Sequence, residues 1–595
     1  MERPDLFRAF HDVLRLPAGG GAEVVYALIS RTAHVLPPGR ARALRACHGL
    51  ATLDQHAVRV AAELGAAPAA VRAELGELAQ EGLLVRVTDL LRRVGEARAD
   101  PPPPVASLGI PTARRPASLR EALDSYVDDA LRHGRALDYV VADGAADEAE
   151  AAPVRAVVAG IRARRGVPVA YAGRGEKLRF AGSLARRAGV DPALVAFALL
   201  GDEQLSSAVG GNRNALLLHG AGDLLLQVDD DTRCRIRPPP DPLPGITLSS
   251  IDDPSELWPL APPGDPPDRP FAALHEELLG RAAGDCAAAR PEGLDLGGAT
   301  GMLFRRIEAR GGRVLVTQCG SRGDAGTGSM VHLVTLEGRS RDRLLAAEGP
   351  YREAHRTRRL IRASPRPAVG DGAACMSMAL GLDARAVLPP FPPSQRSSDA
   401  VFGAVLRRCH HDALSGFVPW AVEHVPPGSR ETSPEAFRES LGVIGANDVL
   451  RLLVAAARVE PDRDDPGRSL RALGEVLVRW GSLPLADFED LARVQVLRAR
   501  SLDLLLLDDA LRRHRRAPAF WARDAELVRD ALRRVVERPG VAWPADLTAA
   551  LGEEAGRARL QALVRRYGEL LGAWPALWEA ARALRAEGVR LAGAG

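Results

Sequence analysis

The sequence predicts a multidomain α/β protein in which a mostly parallel central sheet is flanked by an N-terminal winged-helix unit and an all-helical C-terminal unit. Three observations carry this expectation. From about residue 106, short apolar strands alternate with amphipathic helices; before residue 95, two helices and a strand-like stretch follow one another; after about 432, Leu/Ala/Arg stretches keep helical spacing throughout. At 595 residues the chain also exceeds what one hydrophobic core can organise, and roughly 150 residues per domain gives three or four units.

Composition removes several function classes. Apolar residues make up 46% and charged residues 26%, which excludes a mostly disordered chain. The 79 basic residues against 76 acidic ones leave a net charge of +3, without a block of like charge long enough for a nucleic-acid arm or a polybasic anchor. Neither nucleic acid nor membrane is therefore expected as a partner. Six scattered cysteines without a CxxC pair indicate neither a disulfide framework nor a zinc site, so a cytoplasmic protein is expected. The start, MERPDLFRAFHDVLRLP, lacks the plan of a signal peptide, and apolar runs such as LDLLLLDD are too short to span a bilayer.

In chain order, residues 1–95 close with TLDQHAVRVAAELG, a short turn, AAVRAELGELAQEG and LLVRV. Val71, Leu75 and Leu78 fall at helix spacing, and Leu83 and Val85 at strand spacing. The segment 96–105, ARADPPPPVA, has the composition of an extended linker. Over 106–431, ASLGIPTARR reads as strand and loop, ASLREALDSYVDDALRHG as helix, and LDYVVADG as a second strand, a right-handed parallel crossover; VPVAYAG and LLLQVDDD repeat the strand signal. Prolines crowd 237–270, which reads as a long irregular surface connection before the strand RVLVTQCG. Residues 432–595 read as helices, with a surface available for packing on the central unit or for homo-oligomer contacts.

The most informative stretch is GNRNALLLHGAGDLLLQVDDDT, residues 211–232. Leu224 to Val228 suits a strand buried on both faces, and ligands of such sheets sit at strand carboxyl ends, where Asp229, Asp230 and Asp231 fall. Period-two alternation would put Asp229 and Asp231 on one side and Asp230 on the other, giving two hard oxygen donors for Mg²⁺ or Mn²⁺. The ordinary alternative is a solvated acidic turn.

GNRNALLLHGAG followed by this acidic run resembles the glycosyltransferases of the GT-A fold, family-two type, in which a G-x-x-R-N segment opens the helix before a D-x-D strand. LGIPTARRPASLREALDSYVDDALRHGRALDYVVADG is similar to that family's first βαβ unit. The resemblance implies a nucleotide-sugar donor contacted by Thr112, Arg114, Asp143, Arg213, Asp229 and Asp230. It also implies a Mn²⁺ or Mg²⁺ held by Asp229, Asp231 and His424 of WAVEHVPPGSR. Asp399, in SQRSSDAVFG, occupies the place of the acid that serves inverting members as general base. The family often has Glu-Asp there, whereas this chain has Ser398-Asp399, which also suits a helix cap.

The glycine-rich GSRGDAGTGS, Gly320 to Ser329, reads as a flexible loop that lacks a phosphate-loop pattern. Lys177, the only lysine, and Arg179 read as a solvated helix face. Residues 20–90 resemble the winged-helix peptide-recognition domain of the PqqD type, which binds a leader peptide by strand addition. That implies a ribosomally made peptide or protein as acceptor. A DNA reader is the rival, but AAVRAELGELAQEG sets one arginine among several glutamates. The expected function is thus a metal-dependent glycosyltransferase, with a non-catalytic peptide-binding scaffold on the same fold as the alternative. A sugar-phosphate nucleotidyltransferase would need a lysine in an N-terminal glycine-rich loop, and Lys177 lies outside any such loop.

Overall fold

The computed structural model describes residues 7–9, 13–27, 32–47, 51–86, 101–202, 205, 209–261, 268–290, 293–310, 312–326, 331–428, 431, 443–537 and 543–592. Residues 96–100 of the expected linker and the end of the glycine-rich stretch lie outside them.

In the N-terminal unit, β1 (Phe7–Ala9) pairs with β5 (Leu84–Arg86), and β2 (Val13–Pro17), β3 (Glu23–Ala27) and β4 (Thr32–Leu36) form an antiparallel sheet. Helices α1 (Pro38–Ala46), α2 (Leu53–Leu64) and α3 (Pro68–Gln80) pack beside them. Thr52 and Gln55 close a capping box at the start of α2, and Gly65, at a φ of 65°, ends it in the left-handed conformation. Val71, Leu75 and Leu78 are buried with Val60 and Leu44 in a core separate from the rest of the chain. The helix–turn–helix–strand order matches the expectation; the three-stranded sheet is additional to it.

The central unit is mixed α/β. It opens with β6 (Ser107–Thr112), α4 (Pro116–Arg132), β7 (Asp138–Asp143), α5 (Glu148–Arg165) and β8 (Val169–Ala172). Three helices follow, α6 (Arg174–Ala188), α7 (Pro192–Leu200) and α8 (Val209–His219), and lead into β9 (Leu224–Val228). These strands lie parallel in the order β9-β6-β7-β8. Every residue of β6 and β9 is buried, as strands covered on both faces require.

The sheet continues through β10 (Thr232–Arg237), β11 (Ile246–Ser249), β12 (Glu256–Pro259), β13 (Leu294–Asp295) and β14 (Arg313–Asp324). It is completed by β15 (Arg359–Ala363), β16 (Ala368–Gly370), β17 (Ala379–Asp383) and β18 (Ala413–His424). β17 runs antiparallel to β9 and β14, while β14 and β18 form a long parallel ladder, so β9, β14 and β18 all end on one side. Helices α9 (Phe271–Glu276), α10 (Ala283–Ala288), α11 (Gly301–Arg310), α12 (Val331–Val334), α13 (Gly338–Leu345), α14 (Glu348–Thr357) and α15 (Ser398–Cys409) connect these strands.

Two sequence expectations are corrected. The proline-rich 237–270 stretch contains β11, held between β13 and β16, and β12, paired with β15; prolines reach only the last residue of β12, where no further ladder bond is needed. The glycine-rich stretch begins inside β14, because Gly320 to Asp324 stay paired with β18 and β15. A Cβ at Gly320 would lie 2.0 Å from the Arg362 carbonyl oxygen, so glycine there serves close strand approach rather than flexibility.

The C-terminal unit is helical: α16 (Ala446–Ala456), α17 (Pro466–Trp480), α18 (Leu485–Arg513), α19 (Ala519–Glu537), α20 (Ala545–Leu551) and α21 (Glu553–Ala586). Gly474 and Gly568 let α17 and α21 cross closely, since a Cβ at Gly474 would meet the Gly568 carbonyl at 2.6 Å. One hydrophobic core runs from α6, α7 and α8 through Phe391 and Phe402 into Leu473, Leu477, Trp574 and Trp578. The Trp574 indole donates to the Leu388 carbonyl at 2.6 Å and the Tyr567 hydroxyl to that of Pro390 at 2.8 Å, so α21 grips the segment leading to α15. Among the described residues, no helix is long and apolar enough to cross a membrane.

Candidate functional site

Strand order reverses at β6, which has β7 on one side and β9 on the other, and the chain ends leaving β6 and β9 part around a crevice. A cleft of about 570 Å³ occupies that position. Thr112, Arg114, Arg213, Asp229, Asp230, Asp231, Asp399 and His424 all line it. Asp143 does not; it is fully buried behind the wall, accepting from the Tyr171 hydroxyl at 2.9 Å and the Ala145 amide at 3.0 Å, while its neighbour Gly144 faces the cleft. Burial raises the Asp143 carboxyl above its ordinary range, against the pull of the Tyr171 bond.

Helix α8 supplies one wall. A Cβ at Gly210 would sit 1.8 Å from the Pro392 carbonyl oxygen, and the Gly211 amide donates to the Pro393 carbonyl at 3.0 Å, so the helix start is pressed against that loop. Asn214 fastens the same loop through bonds with both the amide and the carbonyl of Phe391. Asn212 donates to the Thr112 carbonyl at 3.1 Å and accepts from Lys177 at 2.7 Å; Lys177 also donates to the Asp143 carbonyl at 2.8 Å. The expectation of a solvated Lys177 is therefore corrected. Its side chain turns inward and bridges the ends of β7 and α8, and burial pulls the ammonium down to about 8. Arg179, by contrast, is exposed on α6 and pairs with Glu176.

The three carboxylates do not alternate as a continuing strand would make them. β9 stops at Val228, and the chain turns at once: the Thr232 amide and hydroxyl both bond the Asp229 carbonyl, at 3.1 and 2.8 Å. Period two is lost in that turn. Asp229 pairs with Arg213, a fully buried guanidinium 5.8 Å from the Phe391 ring. Asp230 accepts from the Thr112 hydroxyl at 2.6 Å, and Arg115 reaches both Asp230 and Asp231, at 3.3 and 3.2 Å. Burial pushes the Asp230 carboxyl up to about 6, against the opposing Thr112 bond. Burial likewise raises Asp229, which the Arg213 charge resists and the Asp231 charge reinforces.

His424 comes from the far end of β18. Its Nδ1 bonds the Asp324 carbonyl oxygen at 2.7 Å, which turns Nε2 toward Asp231 Oδ1 at 3.4 Å. Burial disfavours the charged imidazole, but the Asp231 bond and charge outweigh it and raise the basicity of His424. Of the three expected metal donors, the fold thus brings Asp231 and His424 together while Asp229 faces Arg213. Among the described residues, no group of three or more His, Cys, Asp or Glu is arranged to hold a metal ion.

Asp399 lies in the first turn of α15, after Ser397 in the left-handed conformation. It accepts from the Ser377 amide and hydroxyl, both at 3.1 Å, and from the Ala400 amide at 2.9 Å, so it is held from two elements. Four non-glycine residues among those described have positive φ, and Arg114 (58°), Gln395 (69°) and Ser397 (62°) are three of them, all on the cleft wall. Arg115, Asn212, Ser377 and Gln395 belong to the site without having been singled out by sequence. Arg115 had a signal in its place beside Arg114; Ser377 had none, since only the β17–β9 pairing brings it here. Compared with known proteins, the chain matches no family model, no curated protein and no solved structure at a significant level.

Proposed function

We propose that the chain is a metal-dependent glycosyltransferase of GT-A type that moves a sugar from a nucleotide-sugar donor. The single observation that carries this is the convergence of Thr112, Arg213, the Asp229–Asp231 turn, Asp399 and His424 on one cleft at the point where strand order reverses. The donor types suit a divalent cation, but only two of them meet: Asp231 and His424 would hold Mn²⁺ or Mg²⁺ from one side, His424 with its Nδ1 fixed by a backbone carbonyl, and Asp229 would join them only on leaving Arg213. The ion would supply neutralisation of charge on the departing nucleotide diphosphate.

The chain's own residues divide the remaining work. Arg213 offsets the charge of Asp229, Arg115 bridges Asp230 and Asp231, and Arg114 and Arg396 add cationic groups to the wall for phosphate oxygens. Asp399, fixed by Ser377, is the general base that takes the acceptor proton in an inverting transfer. The acceptor we assign to this reading is a ribosomally made peptide or protein delivered by the N-terminal unit. The support is its helix–turn–helix–strand order and the edge strands β2 and β4, each paired on one side only among the described residues.

One observation favours a second reading. Every carboxylate of the acidic turn already has an arginine or histidine partner, the arrangement expected of a peptide-binding scaffold on a degenerate transferase fold. Both readings meet the same test: purified protein with Mn²⁺ and a panel of nucleotide sugars, followed for nucleotide diphosphate release beside Asp229→Asn/Asp231→Asn. Slow donor hydrolysis that disappears in the double variant supports the transferase and names its donor. No release and no metal-dependent nucleotide binding would leave the scaffold.

A further inference from the structure

A second concave site lies apart from the cleft and shares no lining residue with it. Between α13 and the turn joining α18 to α19 is a cavity of about 520 Å³ whose wall carries Arg341, Arg512, Arg513, His514, Arg515 and Arg516. The last five are consecutive. A helix end that gathers so much positive charge in one turn is partly explained by the negative end of the α18 dipole. Nearby acids answer some of the rest: Glu337 accepts from Arg513 at 3.0 Å and His514 at 3.1 Å, and Asp509 accepts from Arg513 at 2.7 Å.

Three cations are left over. Arg341, Arg515 and Arg516 form no ion pair within 4 Å among the described residues. Arg341 is the more telling. Its guanidinium carbon lies 5.1 Å from the ring centroid of Trp521, a buried side chain locked by donation to the Val334 carbonyl, so the fork is held by stacking. Yet its Nε and Nη2, both withdrawn from the surface, have no protein acceptor. A fixed planar fork with unmatched donors, beside two further unpaired guanidinium groups, is the arrangement that binds tetrahedral oxyanions in bidentate fashion.

We propose that this cavity is a binding site for a small phosphate-bearing anion, phosphate or diphosphate, held by Arg341 with Arg515 and Arg516. A long polyanion is the poorer fit. Asp342 lines the same cavity and Glu337 and Asp509 pair with its wall, so a strand extending past it would meet three carboxylates, whereas a compact anion can sit on the arginine side, away from Asp342. The site stands independently of the reaction assigned to the cleft.

The test is calorimetric titration of inorganic phosphate and of inorganic pyrophosphate into the full chain, in phosphate-free buffer with chelator present. Wild type is compared with Arg341→Gln, Arg515→Gln/Arg516→Gln and Asp229→Asn/Asp231→Asn. The expected result is saturable binding that weakens by about ten-fold or more in either arginine variant, one charge-assisted bond being enough for that, and that persists in the aspartate variant. Arg515 and Arg516 are exposed, so their replacement tests the site without disturbing a core. Absence of binding to wild type, binding in both arginine variants as tight as in wild type, or loss confined to the aspartate variant would overturn the proposal. So would a single-stranded oligonucleotide that binds this site far more tightly than pyrophosphate.

Discussion

In a chain that otherwise uses arginine for every long cation, Lys177 stands at the one place where a compact ammonium fits two acceptors at once, the Asp143 carbonyl and the Asn212 amide oxygen. A planar guanidinium would need more room and further acceptors. If the proposed function holds, Lys177→Met should weaken nucleotide binding by about ten-fold, by freeing Asn212 from Thr112, with Lys177→Arg failing to restore it; a nucleotide titration of folded protein reads this. His410 offers a test through pH. Burial brings its imidazole down to about 4 from an ordinary value of 6.5. The unfolded chain thus binds the proton that the folded one refuses, and His410 contributes stability above pH 6.5 that is lost as pH falls toward 4. Its replacement by Gln should flatten the fall in urea midpoint between about pH 7 and about pH 4.5, removing up to about 3 kcal/mol of pH-dependent stability. Buried carboxylates such as Asp129, whose pKa is raised by burial, act with the opposite sign, so the comparison must be between variant and wild type.

Among the elements, α8 decides the shape of the site. Its first turn touches the Phe391–Pro393 loop so closely that Gly210→Ala must displace either helix or loop, at a cost of about 1–3 kcal/mol. The denaturation midpoint should fall, and the nucleotide binding proposed for the cleft should fall with it, because Arg213 and Asn212 ride on the same helix. The presence of α8, β9 and the acidic turn was legible in the sequence, since a G-x-x-R-N run, an apolar strand and three acids are local signals. Which carboxylate meets which cation was not. The turn at Asp229 breaks the alternation on which that reading rested, and the partners Arg115 and Ser377 arrive from the segment after β6 and the segment before β17, where only sheet order could place them. Lys177 was misjudged for a related reason: helical spacing identifies a face, but charged residues are read as outward by default, and only the tertiary acceptors reverse that.

At the scale of the whole molecule, the N-terminal unit has a core of its own while the C-terminal helices share theirs with the cleft. The boundary expected near residue 432 falls on residues outside those described; on either side of it, Phe391 and Phe402 share one core with Leu473 and Trp574. Trp574→Ala should cost about 3–5 kcal/mol, and since Trp574 holds Leu388 just before the loop that Asn214 grips, under the proposed function it should also lower nucleotide affinity from a residue outside the cleft. Parallel loss in thermal melting and in nucleotide titration would check both. The left-handed residues around the cleft have a further consequence for how this chain could be altered. Arg114, Gln395 and Ser397 each hold a backbone geometry that glycine adopts with less strain, by about 1 kcal/mol. A selection that rewarded durability alone would be drawn to these positions first, and the sturdier descendants it returned would be those whose cleft had gone slack.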